Sequence, residues 1–318
     1  MLLPRSALEE LVTPAAHLAD LRRAFADYHG ITPPGRIHAD LPEGIAGKAV
    51  VLMPGLTPGI PAYSVKVNAK FPAQNPAIKG VILLHELDTG KLLAILDSAF
   101  VTAARTALAG ALATDILARP EASRAAIIGA GVQGELQLRY LRLVRPLVSV
   151  RVYDMNTKHL ETFCRRHQEL LSIPVTPAAS VREAVADADI VVTATWAREP
   201  FLFTGMLRPG THVTTLGADE PGKCEIDAAL IRSSVAIVDD RALALKEGMI
   251  GGAGLGPDAI AADLAEIVRG EHPGRVTAED VTIFGAVGLP MLDLVVSWGL
   301  YVSAREANTK FSVVDFLG

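Results

Sequence analysis

With 318 residues, half of them apolar, and a mean hydropathy of +0.33, the chain has the length for two domains of ordinary size and the apolar content for a large core. A formal net charge of −5 provides no basic footprint for nucleic acid. Two cysteines, Cys164 and Cys224, are too few for a disulfide framework and lack metal-site spacing, so the expectation is a reducing, cytoplasmic setting and no metal.

The opening Met-Leu-Leu-Pro-Arg-Ser soon meets Glu9 and Glu10 and has no secretory apolar core. Residues 5–29 place Leu11, Leu18, Leu21 and Phe25 near helical spacing, with Arg22 and Arg23 on the other face, and predict a helix. Residues 32–55 are rich in Pro and Gly around a strand-like Ala49-Val-Val-Leu-Met53, and Tyr63-Ser-Val-Lys-Val alternates as a strand. Val81-Ile-Leu-Leu and Leu92-Leu-Ala-Ile-Leu96 flank Asp88-Thr-Gly90, which reads as a hairpin turn. The Ala-rich run from Thr102 to Ala118 predicts a long helix carrying Arg105.

After Arg119-Pro120 the rhythm changes. Expected strands at 125–129, 148–154, 189–195, 211–216, 234–239 and 281–284 alternate with expected helices at 132–144, 157–171, 180–187, 226–232 and 258–268. This is the βαβ pattern of a doubly wound parallel sheet. Five glycines in the nine residues 248–256 predict a mobile loop. Residues 281–304 are very apolar, but the charge-free piece before Asp293 is 12 residues long, too short to span a membrane. It reads as a strand and then a buried helix that returns to the first domain from about Pro290.

Ala125-Ala-Ile-Ile-Gly-Ala-Gly-Val-Gln-Gly134 combines a buried strand with G-x-G-x-x-G spacing and a following helical pattern. Gly129 permits the tight turn, Gly131 lets backbone approach a pyrophosphate, and Gly134 lets helix pack on strand. The pyrophosphate would lie on the N–H groups at the helix start. Asp154, twenty residues after Gly134, closes the next strand, where an acid suits the ribose hydroxyls of NAD and repels a 2′-phosphate. Val132 and Gln133 inside the turn, and Thr195 at the end of strand 189–195, complete the expected cofactor positions.

Lys66 sits on a strand between Val65 and Val67, from which it either projects into a cleft, where it can polarise a carbonyl or imine as a catalytic residue, or lies on the open face in solvent. Arg105 is the only charge in the 17 residues from Ser98 to Thr114 and needs a carboxylate partner, either from the protein or from a substrate. Arg36, in the Pro-Gly loop, is a second candidate clamp or a plain surface residue. Asp219 follows the strand Thr211-His-Val-Thr-Thr-Leu216, where ligand crevices open, so it either orients a substrate amine or braces a turn beside Pro221. His85 reads as a core histidine, and both cysteines as structural.

Tyr63-Ser-Val-Lys-Val-Asn, Thr89-Gly-Lys-Leu-Leu-Ala-Ile-Leu-Asp97, Thr102-Ala-Ala-Arg-Thr-Ala, Ile127-Ile-Gly-Ala-Gly-Val-Gln, Gly217-Ala-Asp-Glu-Pro-Gly-Lys and Thr282-Ile-Phe run in order through nearly the whole chain. Together they resemble the ornithine cyclodeaminase/μ-crystallin family. The resemblance implies a discontinuous α+β substrate and dimerisation domain, residues 1–118 with about 292–318, and an NAD-binding Rossmann domain, residues 119–291. It implies a homodimer that moves hydride between NAD and the Cα of a small amino or cyclic imino acid. By the same resemblance Lys66, Arg105 and Arg36 contact the substrate carboxylate, and Asp219 positions the amine and manages its proton. Cyclodeaminases of the family carry a glutamate where this chain has Val51. Relatives often show Pro-Thr-His-Gln-Gly at Pro76-Ala-Ile-Lys-Gly80 and Phe-Asp-Ser-x-Gly at Phe284-Gly-Ala-Val-Gly. These departures favour an imino-acid reductase or amino-acid dehydrogenase over ornithine cyclodeaminase, and leave a non-catalytic ligand-binding relative as the second alternative.

Overall fold

A computed structural model describes residues 1–30, 35–43, 45, 49–71, 74 and 77–307. Pro76, and the expected C-terminal piece beyond residue 307, lie outside them. The chain forms two compact units: Met1–Arg105 with Leu289–Gly318, and Thr106–Gly288.

The first unit is built on a six-stranded sheet. Its strands are β1 (Leu2–Leu3), β2 (Ile37–Asp40), β3 (Ala49–Gly55), β4 (Ala62–Lys70), β5 (Ile78–Glu86) and β6 (Leu92–Asp97), ordered β1-β6-β5-β4-β3-β2. β2 to β6 pair antiparallel in sequence order, as short links require, and β1 adds in parallel along β6. β4 alternates strictly: Ala62, Ser64, Lys66 and Asn68 are buried, while Tyr63, Val65 and Val67 are half-buried. The helix expected over 5–29 is two helices, α1 (Arg5–Leu11) and α2 (Pro14–Ala26). Pro14 has no N–H to continue the first helix but suits the first turn of the second. The C-terminal helix Pro290–Glu306 packs on α2, β3 and β4. It crosses α2 closely, since a Cβ on Gly299 would lie 2.8 Å from His17 Nε2.

The Ala-rich helix α3 runs from Ser98 to Leu117, four residues earlier at its start than expected. It is long and apolar enough to cross a membrane, but 78% of its most apolar window is buried within the protein, as in a core helix. The division between units falls inside it, at Arg105/Thr106, rather than after residue 118. The physical reason is that the second unit holds its later turns. Gln137 donates to the Thr106 carbonyl, and the Arg145 guanidinium donates to the carbonyls of Thr114, Asp115 and Ala118.

The second unit carries β7 (Arg124–Ile128), β8 (Ser149–Tyr153), β9 (Val175–Pro177), β10 (Ile190–Thr193), β11 (His212–Thr215), β12 (Val235–Val238), β13 (Ala262–Asp263) and β14 (Thr282–Gly285). All pair in parallel in the order β13-β12-β14-β11-β10-β7-β8-β9. Apolar clusters line both faces, as a parallel sheet demands. The helices are α4 (Val132–Leu141), α5 (Thr157–Leu171), α6 (Val181–Val185), α7 (Ala228–Arg232), α8 (Arg241–Lys246), α9 (Gly248–Gly252) and α10 (Leu264–Val268). Two expectations fail here. Part of the glycine-rich stretch 248–256 is helical, packed through buried Met249 and Ile250. The helix expected over 258–268 is confined to Leu264–Val268, because Ala262 and Asp263 join the sheet edge and Asp263 starts the helix with a capping box.

Candidate functional site

Strand order reverses between β7 and β10: β8 and β9 follow to one side, β11 to the other. Ligand crevices of parallel sheets open at the carboxyl ends of such a pair. The loops at those ends meet closely. The Ala194 N–H donates to the Ile128 carbonyl at 2.9 Å, and a Cβ on Gly129 would stand 2.5 Å from the Ala194 oxygen. Gly129 also has φ +107°, a conformation that favours glycine. At Gly134 a Cβ would meet the Gly129 carbonyl at 2.1 Å, which is why α4 can start directly against the turn. Gly131, the residue capping α4, faces open space and offers no side-chain cap, so the N–H groups at the helix start stay available.

Asp154 closes this turn from the next strand. Its Oδ2 accepts from the Ala130 N–H at 2.7 Å, and its Oδ1 from the Asn156 N–H at 2.7 Å. Gln133 Oε1 is buried with no partner of its own. A cradle of bare N–H groups, an unfilled glycine, an aimed carboxylate and an orphaned acceptor fit a dinucleotide. Thr195 lies at the reversal point, and its N–H and hydroxyl donate to Glu225.

In the same unit Asp219 pairs with Lys223 at 2.7 Å. Lys223 is 3% exposed, lies 3.7 Å from Glu220, and caps the Trp196 ring at 4.1 Å from its centroid. The loop acid is therefore half of an ion pair whose cation is buried against an aromatic ring.

In the first unit Lys66 and Arg105 come together on one carboxylate, that of Asp293 in the C-terminal helix. Lys66 Nζ lies 2.5 Å from Oδ2, and Arg105 Nε 3.3 Å from Oδ1. All three residues are buried. In the sequence Asp293 only interrupts an apolar run, and its spacing from Pro290 gives no hint of its partners. Burial pushes the Lys66 ammonium down to about 8; Asp293 opposes the shift, while the Arg105 and Arg36 charges add to it. Met53 stands opposite Lys66 and Val51 opposite Asn68, all buried, so Val51 shares the Lys66 face one register step away. His85, expected in the core, is half-buried at the end of β5, stacked on Tyr63 at 4.9 Å.

The model of the ornithine cyclodeaminase/mu-crystallin family matches residues 1–308. A Δ1-pyrroline-2-carboxylate reductase of Bacillus thuringiensis subsp. konkukian (strain 97-27) is 30% identical over 308 residues, 92% of each chain. Among solved structures, a Thermococcus litoralis Δ1-pyrroline-2-carboxylate reductase in complex with NADH and L-proline is 32% identical with a TM-score of 0.91, covering 98% of this chain and 100% of that one. An archaeal alanine dehydrogenase dimer with bound NAD is 28% identical with a TM-score of 0.91, covering 100% and 99%.

Proposed function

The chain belongs to the ornithine cyclodeaminase/mu-crystallin family, and on that premise we propose that it is an NAD-dependent oxidoreductase acting at the Cα of a small amino or cyclic imino acid. The observation that carries this reading is the glycine turn closed by Asp154, in a chain so similar to a reductase that holds NADH and L-proline. Bound NADH would supply the hydride. Gly129, Gly131 and Gly134, with Val132 and Gln133, would cradle the pyrophosphate, Asp154 would take the adenine ribose, and Thr195 would edge the crevice.

Lys66 and Arg105 already share one carboxylate, and in our reading they offer the same chemistry to a substrate carboxylate, with Arg36 as a third cation. Arg105 meets Asp293 through Nε; its Nη edge suits a second, planar contact. Asp219 would orient the substrate nitrogen and hold its proton. Val51 supports reductase over cyclodeaminase chemistry: the face beside Lys66 carries an apolar side chain where cyclodeaminases place an acid.

We further propose a homodimer. The sheet face opposite Lys66 carries Leu52, Val65, Val67, Val81, Leu83 and Ile95, adjacent across four strands and partly exposed, with Val81 at 39%. A second copy of the same face would cover it. Free, buried Cys164 and Cys224 accord with a cytoplasmic setting.

The test is NADH oxidation with pyrroline-2-carboxylate, piperideine-2-carboxylate, and pyruvate plus ammonia, with ornithine deamination run alongside. Net NADH consumption with one of the first three is expected. Ammonia release from ornithine without net consumption would instead establish a cyclodeaminase, and cofactor retention without any turnover a binding protein.

A further inference from the structure

Glu225 is 1% exposed, and among the described residues no cation pairs with it. Five donors surround it instead. Oε1 accepts from the Thr195 N–H at 2.8 Å and the Thr195 hydroxyl at 2.7 Å. Oε2 accepts from the hydroxyls of Thr193 and Thr215, both at 2.7 Å, and from the Gly217 N–H at 2.9 Å. A buried charge survives without a counter-ion only when its lone pairs are met in this way.

Thr193 and Thr215 are register partners at the last residues of β10 and β11, and Thr195 and Gly217 each lie two residues further on. One carboxylate thus laces equivalent points of two neighbouring strand ends, beside the reversal of strand order. The fit is tight, since a Cβ on Gly217 would stand 2.4 Å from both Glu225 Oε1 and the Thr195 carbonyl. Behind the side chain, the Glu225 carbonyl accepts from the Phe201 and Leu202 N–H groups, and the Cys224 N–H donates to Ala197. The loop 217–225, which carries Asp219, is therefore closed on itself at its base. On the other side Thr195 adjoins Ala194, against whose carbonyl Gly129 turns.

We propose that Glu225 is the positioning residue of the cofactor crevice, fixing Thr195 against the glycine turn and Gly217 at the root of the Asp219 loop. This inference rests on the NAD reading above. Glu225 touches neither cofactor nor substrate in it and acts through the residues that do. Its carboxylate form is required, because each oxygen faces one backbone N–H that cannot rotate away. Whichever way a glutamine amide were turned, its NH2 would meet either the Thr195 or the Gly217 N–H. The three threonine hydroxyls can adapt; those two backbone donors cannot.

The test compares NADH affinity, by fluorescence titration, with melting temperature in Glu225→Gln, in the isosteric Thr215→Val that removes one donor, and in Asp280→Asn as control. Asp280 accepts from the Val276 and Thr277 N–H groups and the Thr277 hydroxyl just before β14, at the amino end of the sheet. We expect at least a tenfold loss of NADH affinity in Glu225→Gln and about threefold in Thr215→Val, with Asp280→Asn less heat-stable yet unchanged in affinity. Wild-type affinity in Thr215→Val, or in folded Glu225→Gln, overturns the proposal; if Glu225→Gln does not fold, Thr215→Val decides alone. Wild-type protein that fails to bind NADH overturns the cofactor reading instead. Exchange of the Thr195 and Gly217 amide protons, slow in wild type and faster in Thr215→Val, then decides the lacing by itself, equal rates counting against it.

Discussion

Lys66 Nζ and Asp293 Oδ2 lie 2.5 Å apart with side chains 3% and 1% exposed, so the cation proposed above for a substrate carboxylate already meets a carboxylate of the protein. Removing that acid leaves Lys66 and Arg105 as buried like charges. Asp293→Asn should therefore cost about 3–5 kcal/mol, the range for breaking a buried pair from one side. Denaturant unfolding measures it. A loss below ~1 kcal/mol would mean that water reaches the cluster or that Lys66 sheds its proton once Asp293 is neutral.

The same pair sets a pH dependence with two signs. Burial brings Lys66 down to about 8 from an ordinary 10.5. Below the lower value folded and unfolded chains both carry the proton; between the two values only the unfolded chain keeps it. Unfolding free energy contributed by this group therefore rises across that window. In its proposed role Lys66 must be an ammonium to hold the substrate carboxylate, so kcat/KM for the imine should fall as pH passes about 8. In Lys66→Arg the fall should move out of range, and in Asp293→Asn it should move to lower pH, since Asp293 is the charge that raises Lys66. An alkaline limb unmoved by either substitution would assign the titration elsewhere.

The alternation around Lys66, the glycine turn and the βαβ order were all readable because each is a local period or spacing. Asp293 was not, since its partners lie 227 and 188 residues away in sequence. Glu225 was missed for another reason. Its donors are threonines at strand ends and backbone N–H groups, which leave no compositional mark. The helix break at Pro14 and the helical turn at Gly248–Gly252 run against local sequence signals in opposite directions. A hydrophobic period hid the proline, and glycine content hid the packing of Met249 and Ile250.

Cofactor choice should follow Asp154. Its two oxygens already accept from Ala130 and Asn156, which fixes the carboxylate at the turn. A phosphate on the 2′ oxygen would then meet a fixed negative charge. Asp154→Ser should narrow the preference for NADH over NADPH, each tenfold change corresponding to about 1.4 kcal/mol. Equal affinity for the two in wild-type protein would remove the argument.

Assembly is testable on the open sheet face. Leu83 lies beside Val65 and Ile95 there, so Leu83→Lys places a charge in the middle of an apolar surface while leaving the buried face untouched. Sedimentation should show a dimer for wild type and a shift to monomer for the variant, with the circular dichroism spectrum unchanged. A wild-type monomer at all concentrations would refute the pairing.

The last test separates chemistry from bracing at Asp219. Its carboxylate meets Lys223 at 2.7 Å, and Lys223 is held beneath Trp196. If the pair only braces the loop, Asp219→Asn and Lys223→Met should behave alike, each lowering the melting temperature and sparing turnover. If Asp219 holds the proton of the substrate nitrogen, the two should part. Asp219→Asn keeps the shape but loses the charge that stabilises a protonated amine, and turnover should drop ~10²–10⁴-fold. Lys223→Met keeps that charge and should reduce turnover far less, while altering its pH profile. NADH affinity, read on the same preparations, should stay near wild type in Asp219→Asn, because the glycine turn and Asp154 are untouched. Near-normal turnover in Asp219→Asn would make the loop a brace and move the search for the proton donor to Lys66.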